Sequence, residues 1–201
     1  MQKFLMGTRC ALLVFLLCTL LGSTACSKKN TWQLTDINNV MPPLTFSLVD
    51  SDNKNVTEKN FRGHITLLFF GYVHCSDVCP TTLLKLTQAL SKIGKPADSI
   101  RILFVTLDRE RDSLEKLQQY THAFGSQIVG LRPRTEADLQ QLVKRYRVSY
   151  GQDEIKSPSD YSVSHSNAVY IFDTQGTIRL VATSQTNSDA IAHDLKQLLD
   201  E

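Results

Sequence analysis

Phe69-Phe70-Gly71-Tyr72-Val73-His74-Cys75-Ser76-Asp77-Val78-Cys79-Pro80-Thr81-Thr82 is a hydrophobic run that breaks at Gly71 and delivers two cysteines onto the expected start of a helix. Pro80 fits that placement, because proline is tolerated in the first helical turn. Cysteines four apart face the same side of a helix, so the two sulfurs can close a small disulfide ring or converge on one metal ion. Spacing alone leaves both open. A helix N-terminus offers orphan N–H groups and a partial positive charge, which favour the thiolate that metal binding and thiol exchange both require.

Working outward, Ile65, Leu67, Leu68, Phe69 and Phe70 make a segment apolar on both faces, as a central parallel strand requires. A helix through Leu83, Leu86 and Leu90 follows and stops near Gly94 and Pro96. Ile100 to Leu107 supplies the next buried strand, with Asp108-Arg109-Glu110-Arg111-Asp112 at its carboxyl end, a charged run expected to be a solvated loop. Leu114, Leu117, Tyr120 and Phe124 mark an amphipathic helix; another follows Thr135, which resembles a capping box with Asp138 and carries Leu139, Leu142, Val143 and Tyr146 inward. Ala168 to Phe172 and Ile178 to Ala182 read as strands joined by the turn Asp173-Thr174-Gln175-Gly176, before a last helix from about Ser188 to Leu199. Phe46, Leu48 and Val49 open a hairpin that turns between Asp50 and Asn55. This order predicts an α/β, thioredoxin-like fold: a central mixed β-sheet flanked by helices, with an extra N-terminal β-hairpin. The cysteine pair then falls at the carboxyl end of the first long strand, a favoured place for sites in open α/β sheets.

The N-terminus reads differently. Residues 1–25 have the pattern of a secretory signal: Lys3 and Arg9 are followed by an apolar Ala11 to Gly22 stretch too short for an ordinary membrane span. Ser23, Thr24 and Ala25 lead into Cys26, which resembles the bacterial lipobox, although Ser23 stands where that pattern has leucine. Cys26 is thus the expected lipidation site, with simple secretion or an uncleaved anchor as the alternatives, residues 26–40 a polar, flexible tether, and residues 41–201 the domain, entered at Pro42-Pro43. Of 201 residues, 22 are Lys or Arg and 20 are Asp or Glu, so removing Lys3 and Arg9 balances the formal charge. A near-neutral mature chain without a basic block gives no reason to expect nucleic-acid binding. Cys10 and Cys18 leave with the signal and Cys26 is taken by lipid, so the five cysteines reduce to Cys75 and Cys79. Met1 and Met6 leave with the signal too, so Met41 stands alone.

Phe70-Gly71-Tyr72, Cys75 through Pro80 with Thr81-Thr82-Leu83, Asp108 through Asp112, and Ser164-His165-Ser166 leading into Val169-Tyr170-Ile171-Phe172-Asp173 together resemble the Sco/SenC family of copper-binding proteins, over roughly residues 40 to 200. Ser76 and Arg109 stand where that family commonly has proline. The resemblance implies copper, as Cu(I) and Cu(II), held by Cys75, Cys79 and His165. It also implies a metallochaperone for the binuclear copper site of cytochrome c oxidase, whose partner is subunit II or another copper-accepting protein. The expected location is the bacterial cell envelope, anchored in the membrane through Cys26, with the domain facing the periplasm or the outer side of the membrane. Two thiolates and an imidazole agree with this chemically: they are a soft set that suits Cu(I) and can hold Cu(II), whereas a structural zinc site usually has a fourth protein ligand.

A second function class is a thiol-disulfide oxidoreductase cycling Cys75 and Cys79, either to keep the cysteines of a copper-site or other exported protein reduced or in an antioxidant role. A third is a lipid-tethered interaction module with an inert disulfide, though so short a loop gains little stability from closure. Copper ligation needs reduced sulfurs in an oxidising compartment, so an exported thiol reductant is an implied partner. His74 adjoins the site, Asp77 is a candidate helix cap, and Asp108 is a candidate for orienting the site; His64, His122 and His193 read as surface or helix-face residues.

Overall fold

In a computed structural model that describes residues 31–157 and 160–201, the chain after Thr31 builds one unit, Trp32–Glu201, around a single hydrophobic core. The expected signal segment and Cys26 lie outside the described residues. In chain order the elements are β1 (Thr35–Asp36), β2 (Ser47–Asp50), β3 (Asn55–Thr57), β4 (Ile65–Gly71), α1 (Val78–Ile93), β5 (Ile100–Thr106), α2 (Leu114–His122), β6 (Ile128–Arg132), α3 (Glu136–Arg145), β7 (Tyr150–Ser157), β8 (Asp160–His165), β9 (Val169–Phe172), β10 (Ile178–Ala182) and α4 (Ser188–Leu199).

Eight strands form one mixed sheet in the order β1-β10-β9-β4-β5-β6-β2-β3. Strands β4, β5 and β6 run parallel, with Ile65 opposite Ile100 and Gly71 opposite Thr106, and the strands on either side are antiparallel. Every residue of β4 is buried, which explains its apolar composition on both faces. Because side chains alternate along a strand, Phe69 and Phe70 enter opposite layers. Phe69 meets Phe104, which in turn meets Tyr120 of α2; Phe70 meets Tyr146, beyond the end of α3, and Tyr146 packs on Tyr170 and Phe172. Helices therefore cover both faces, and α1 packs along α4. This is the thioredoxin-like arrangement expected from the sequence, including the extra hairpin of β2 and β3.

The β9-β10 turn shows why its residues are what they are. Gly176 takes φ +73°, and the Asp173 carboxylate accepts the N–H groups of Gln175 and Thr177. At Thr135 the capping box forms with Asp138.

Two expectations need correction. Residues 31–40 were expected to belong to the tether, yet from Trp32 the chain is seated on the domain. Leu34 is buried, Gln33 and Leu34 donate their N–H groups to the Asp194 carboxylate, and β1 pairs with β10. Burial of Leu34 and saturation of a buried carboxylate outweigh the polar composition that suggested a tether. Second, the run Asp108 to Asp112 is not a solvated loop, since both aspartates are buried. The segment between α3 and β9, on which the sequence offers no reading, contains a two-stranded sheet of β7 and β8, whose polar sequence gives no strand signal.

Candidate metal centre

Three elements converge at the carboxyl end of β4. The strand stops at Gly71, the loop Tyr72 to Asp77 turns outward, α1 begins at Val78, and β8 brings His165 across from the far side. The Cys75 and Cys79 sulfurs and a His165 ring nitrogen all lie within 4.8 Å of one another. Cys79 Sγ is 3.4 Å from His165 Nε2. Neither cysteine is in a disulfide. Cys79 is fully buried, whereas Cys75 is only partly so and borders a cleft of about 320 Å3 shared with Tyr72, Val78, Val163, His165 and Asn167.

Gly71 makes room for this geometry. A Cβ there would sit 2.7 Å from Cys79 Sγ and 2.7 Å from Phe104 Cε2, so the glycine is required by close approach and not by backbone conformation. Asp77 stands at the N-cap position, but its side chain makes no capping bond. Instead the Cys79 N–H donates to Cys75 Sγ at 3.3 Å, so a sulfur takes up one of the orphan amides at the start of α1.

The two thiols are electrostatically unequal. Cys75 is lowered to about 3, first by the hydrogen bond from the Cys79 side chain, then by His165 and by the backbone amides of Cys79 and Asp77, against the opposing effect of burial. Cys79 is pushed well above the ordinary thiol range by sharing that proton with Cys75 and by burial, with the charges of Cys75 and Asp112 adding to the effect. One proton is thus held between two sulfurs, leaving a Cys75 thiolate beside a Cys79 thiol.

His165 is fixed by its other nitrogen. Nδ1 lies 2.9 Å from the Ser166 carbonyl oxygen, which can only accept, so Nδ1 donates there and Nε2 is the ring nitrogen turned toward the sulfurs. The rings of Phe69 and Tyr72 meet the imidazole edge-on, with centroids 6.2 and 6.0 Å away. Two sulfur donors and an imidazole nitrogen are a donor set that fits copper once they are free of protons.

Asp112, passed over in the sequence as part of the charged run, lies in the layer beneath. Its carboxylate accepts the Val73 N–H at 3.0 Å and the Thr106 hydroxyl at 2.6 Å, tying the cysteine loop to the end of β5. Its Oδ1 lacks a hydrogen-bond partner and faces His74 Nδ1 at 3.5 Å; burial raises its pKa. Asp108 accepts from the Tyr161 hydroxyl at 2.8 Å and from Arg111. The available signal was two carboxylates four apart directly after a buried strand, a spacing that turns both back onto the strand end. His122 and His193 are exposed and His64 is partly buried, and none of them belongs to the cysteine group.

Comparison with known proteins gives an independent reading. The family described as SCO1/SenC matches residues 38–200. The mitochondrial SCO1 homolog 1 of Arabidopsis thaliana is 38% identical over 127 residues, 63% of this chain and 37% of the relative. The mouse and zebrafish SCO2 homologs are matched over 52% and 54% of their length, so the chain spans about half or less of these curated relatives. Among solved structures, Bradyrhizobium japonicum ScoI with copper bound aligns with a TM-score of 0.70 and 33% identity, covering 78% of this chain and 98% of the other. Arabidopsis thaliana ScoI with copper bound aligns with a TM-score of 0.72 and 30% identity, over 79% and 98%. With the fold, the order of the motifs and the converging cysteines and histidine all agreeing with this match, the chain belongs to the SCO1/SenC family.

Proposed function

We propose that this protein is a copper metallochaperone whose ligands are Cys75, Cys79 and His165, serving assembly of the binuclear copper site of cytochrome c oxidase. The observation that supports it best is the convergence of two sulfurs and a His165 ring nitrogen within 4.8 Å of one another, in a chain similar to proteins solved with copper bound. Three donors with Cys75 at the edge of an open cleft leave a direction from which a recipient's ligands can approach. Titration of the reduced domain with Cu(I) and Cu(II) tests this: one equivalent of each should bind, and Cys75→Ser or Cys79→Ser should abolish tight Cu(I) binding. Near-native Cu(I) affinity in Cys75→Ser would overturn it.

The asymmetry of the thiols supports a second reading, a thiol-disulfide oxidoreductase. A partly exposed Cys75 thiolate attacks a target disulfide and releases one target thiolate; Cys79 then loses its proton, attacks Cys75 Sγ and frees the second. Two electrons pass to the target and an intramolecular disulfide remains for an exported reductant to reduce. The two readings are compatible, because copper loading requires the dithiol.

Anchoring through lipidated Cys26 in the bacterial cell envelope is part of the same proposal. No described helix is long and apolar enough to cross a membrane. With the chain seated from Trp32 on, about five residues separate Cys26 from the domain, a reach of at most ~22 Å over the six steps from Cys26 to Trp32. Mass spectrometry of the membrane fraction should find an acylated Cys26 at the mature N-terminus; an unmodified Cys26 would reject the anchor.

A further inference from the structure

The β7-β8 sheet makes no ladder with the main sheet, and a two-stranded hairpin alone is marginal in water, so side-chain contacts must set where it lies. Along β8 the alternation places Tyr161, Val163 and His165 on one side, with Tyr161 and Val163 buried. The strand therefore presents the site histidine and Tyr161 to the same body of the protein, four residues apart. Arg111 meets it there. Its guanidinium lies 3.6 Å from the centroid of the Tyr161 ring and 5.9 Å from that of Tyr72, and its Nη1 donates to the Tyr161 carbonyl at 2.8 Å. Its Nε pairs with Asp108, and Asp108 accepts the Tyr161 hydroxyl at 2.8 Å. Tyr72 in turn stands edge-on to His165, with the ring planes at 88°.

We propose that Arg111, clamped between Asp108 and the Tyr161 ring, is a positioning residue that holds the β7-β8 hairpin so that His165 Nε2 stays over the cysteine pair. Arg111 touches neither the sulfurs nor the imidazole; it acts through Tyr161 and Tyr72. A planar guanidinium is suited to this role because it stacks on a ring while its edge donors reach a carboxylate and a carbonyl, which a lysine ammonium cannot do simultaneously. The inference rests on the reading of His165 as a ligand, but its first test is made on the metal-free protein.

Arg111→Lys keeps a cation beside buried Asp108 while losing the stacked plane and the bond to Tyr161, so it is expected to fold. Nitrogen-15 NMR of the apo protein should show His165 as a single Nδ1-protonated tautomer in the parent and a mixture in Arg111→Lys. Cu(II) affinity should fall about tenfold, the low end of what loss of an outer-shell partner costs, and the imidazole nitrogen couplings in the Cu(II) EPR spectrum should weaken. Cu(I) affinity should change less than about threefold, because Cu(I) is held mainly by the sulfurs. Tyr161→Leu, which removes the stacking face, should give the same pattern, and Tyr161→Phe, which retains it, a smaller one. In a His165→Ala background Arg111→Lys should have no further effect on Cu(II), since its influence passes through His165. A parent-like tautomer and EPR pattern in both Arg111→Lys and Tyr161→Leu, or an undiminished effect in the His165→Ala background, would overturn the assignment. If His165→Ala alone leaves Cu(II) affinity intact, the ligand reading fails instead, and the NMR comparison still decides whether Arg111 positions the ring.

Discussion

Gly71→Ala adds one methyl group at the most crowded point behind the metal centre. The new Cβ would lie 2.7 Å from Cys79 Sγ and 2.7 Å from Phe104 Cε2, about 0.7 Å short of the 3.4 Å at which ordinary contact begins. Phe104 is fully buried in β5 and Cys79 fully buried in α1, so neither has open space to retreat into. Overpacking of this kind costs about 1–3 kcal/mol. At roughly 2–4 °C per kcal/mol for a domain of this size, the melting temperature should fall by ~2–12 °C. Relief requires Cys79 Sγ to shift, and ligand distances in metal sites are held to within about 0.2 Å. Cu(I) affinity should therefore fall at least ~10-fold, equivalent to ~1.4 kcal/mol. Thermal melts and competition against a Cu(I) chelator measure the two effects. A variant with unchanged melting temperature and Cu(I) affinity would refute the claim that Gly71 exists to admit the Cys79 sulfur.

Cys75 is lowered to about 3, so it is ionised above that pH and protonated only below it; alkylation of the reduced protein at Cys75 should stay nearly constant from about pH 5 to 8, where an ordinary thiol near 8.5 would lose ~10-fold per unit on acidification. A rate that falls with the ordinary thiol profile would remove the shared-proton picture. Asp112→Ala leaves the partly buried Val73 N–H and the buried Thr106 hydroxyl without their acceptor, and at about 1–3 kcal/mol for each group it should cost ~2–6 kcal/mol in denaturant titration; a loss below ~1 kcal/mol would contradict its anchoring place. Asp194→Ala should release the segment around Gln33 and Leu34 and make it the first site of limited proteolysis, whereas an unchanged cleavage pattern would show that β1 and Leu34 suffice to hold it.

How far the sequence revealed the molecule depended on whether burial left a periodic trace. Strand β4 and helix α1 were legible because their apolar positions follow the geometry of a central strand and a half-buried helix, and the β9-β10 hairpin because Asp173 and Gly176 are turn residues with a mechanism. Strands β7 and β8 were not legible: their sheet is small and polar, and Tyr161 and Val163 are too few to show alternation against the serines between them. The N-terminal segment misled because its contacts with Asp194 use backbone N–H groups, which leave no signature in side-chain composition. At the site, Cys75 and Cys79 were evident from spacing and helix placement, but His165, 86 residues beyond Cys79, could be joined to them only through the family resemblance. Arg111 and Asp112 were hidden in a charged run whose burial depends on how the chain folds back over the end of β5.

His165→Ala tests the central claim most directly, because metal ligation requires the imidazole and thiol exchange does not. The variant should be measured for Cu(II) affinity, Cu(I) affinity and the rate of Cys75-Cys79 disulfide formation in one preparation. Cu(II) affinity should fall by ~100-fold or more, since loss of a ligand should exceed the 10–100-fold typical of an outer-shell partner; Cu(I) should weaken less, and disulfide formation should persist. Unchanged Cu(II) affinity would take His165 out of the site and leave the cysteine pair as a redox centre alone.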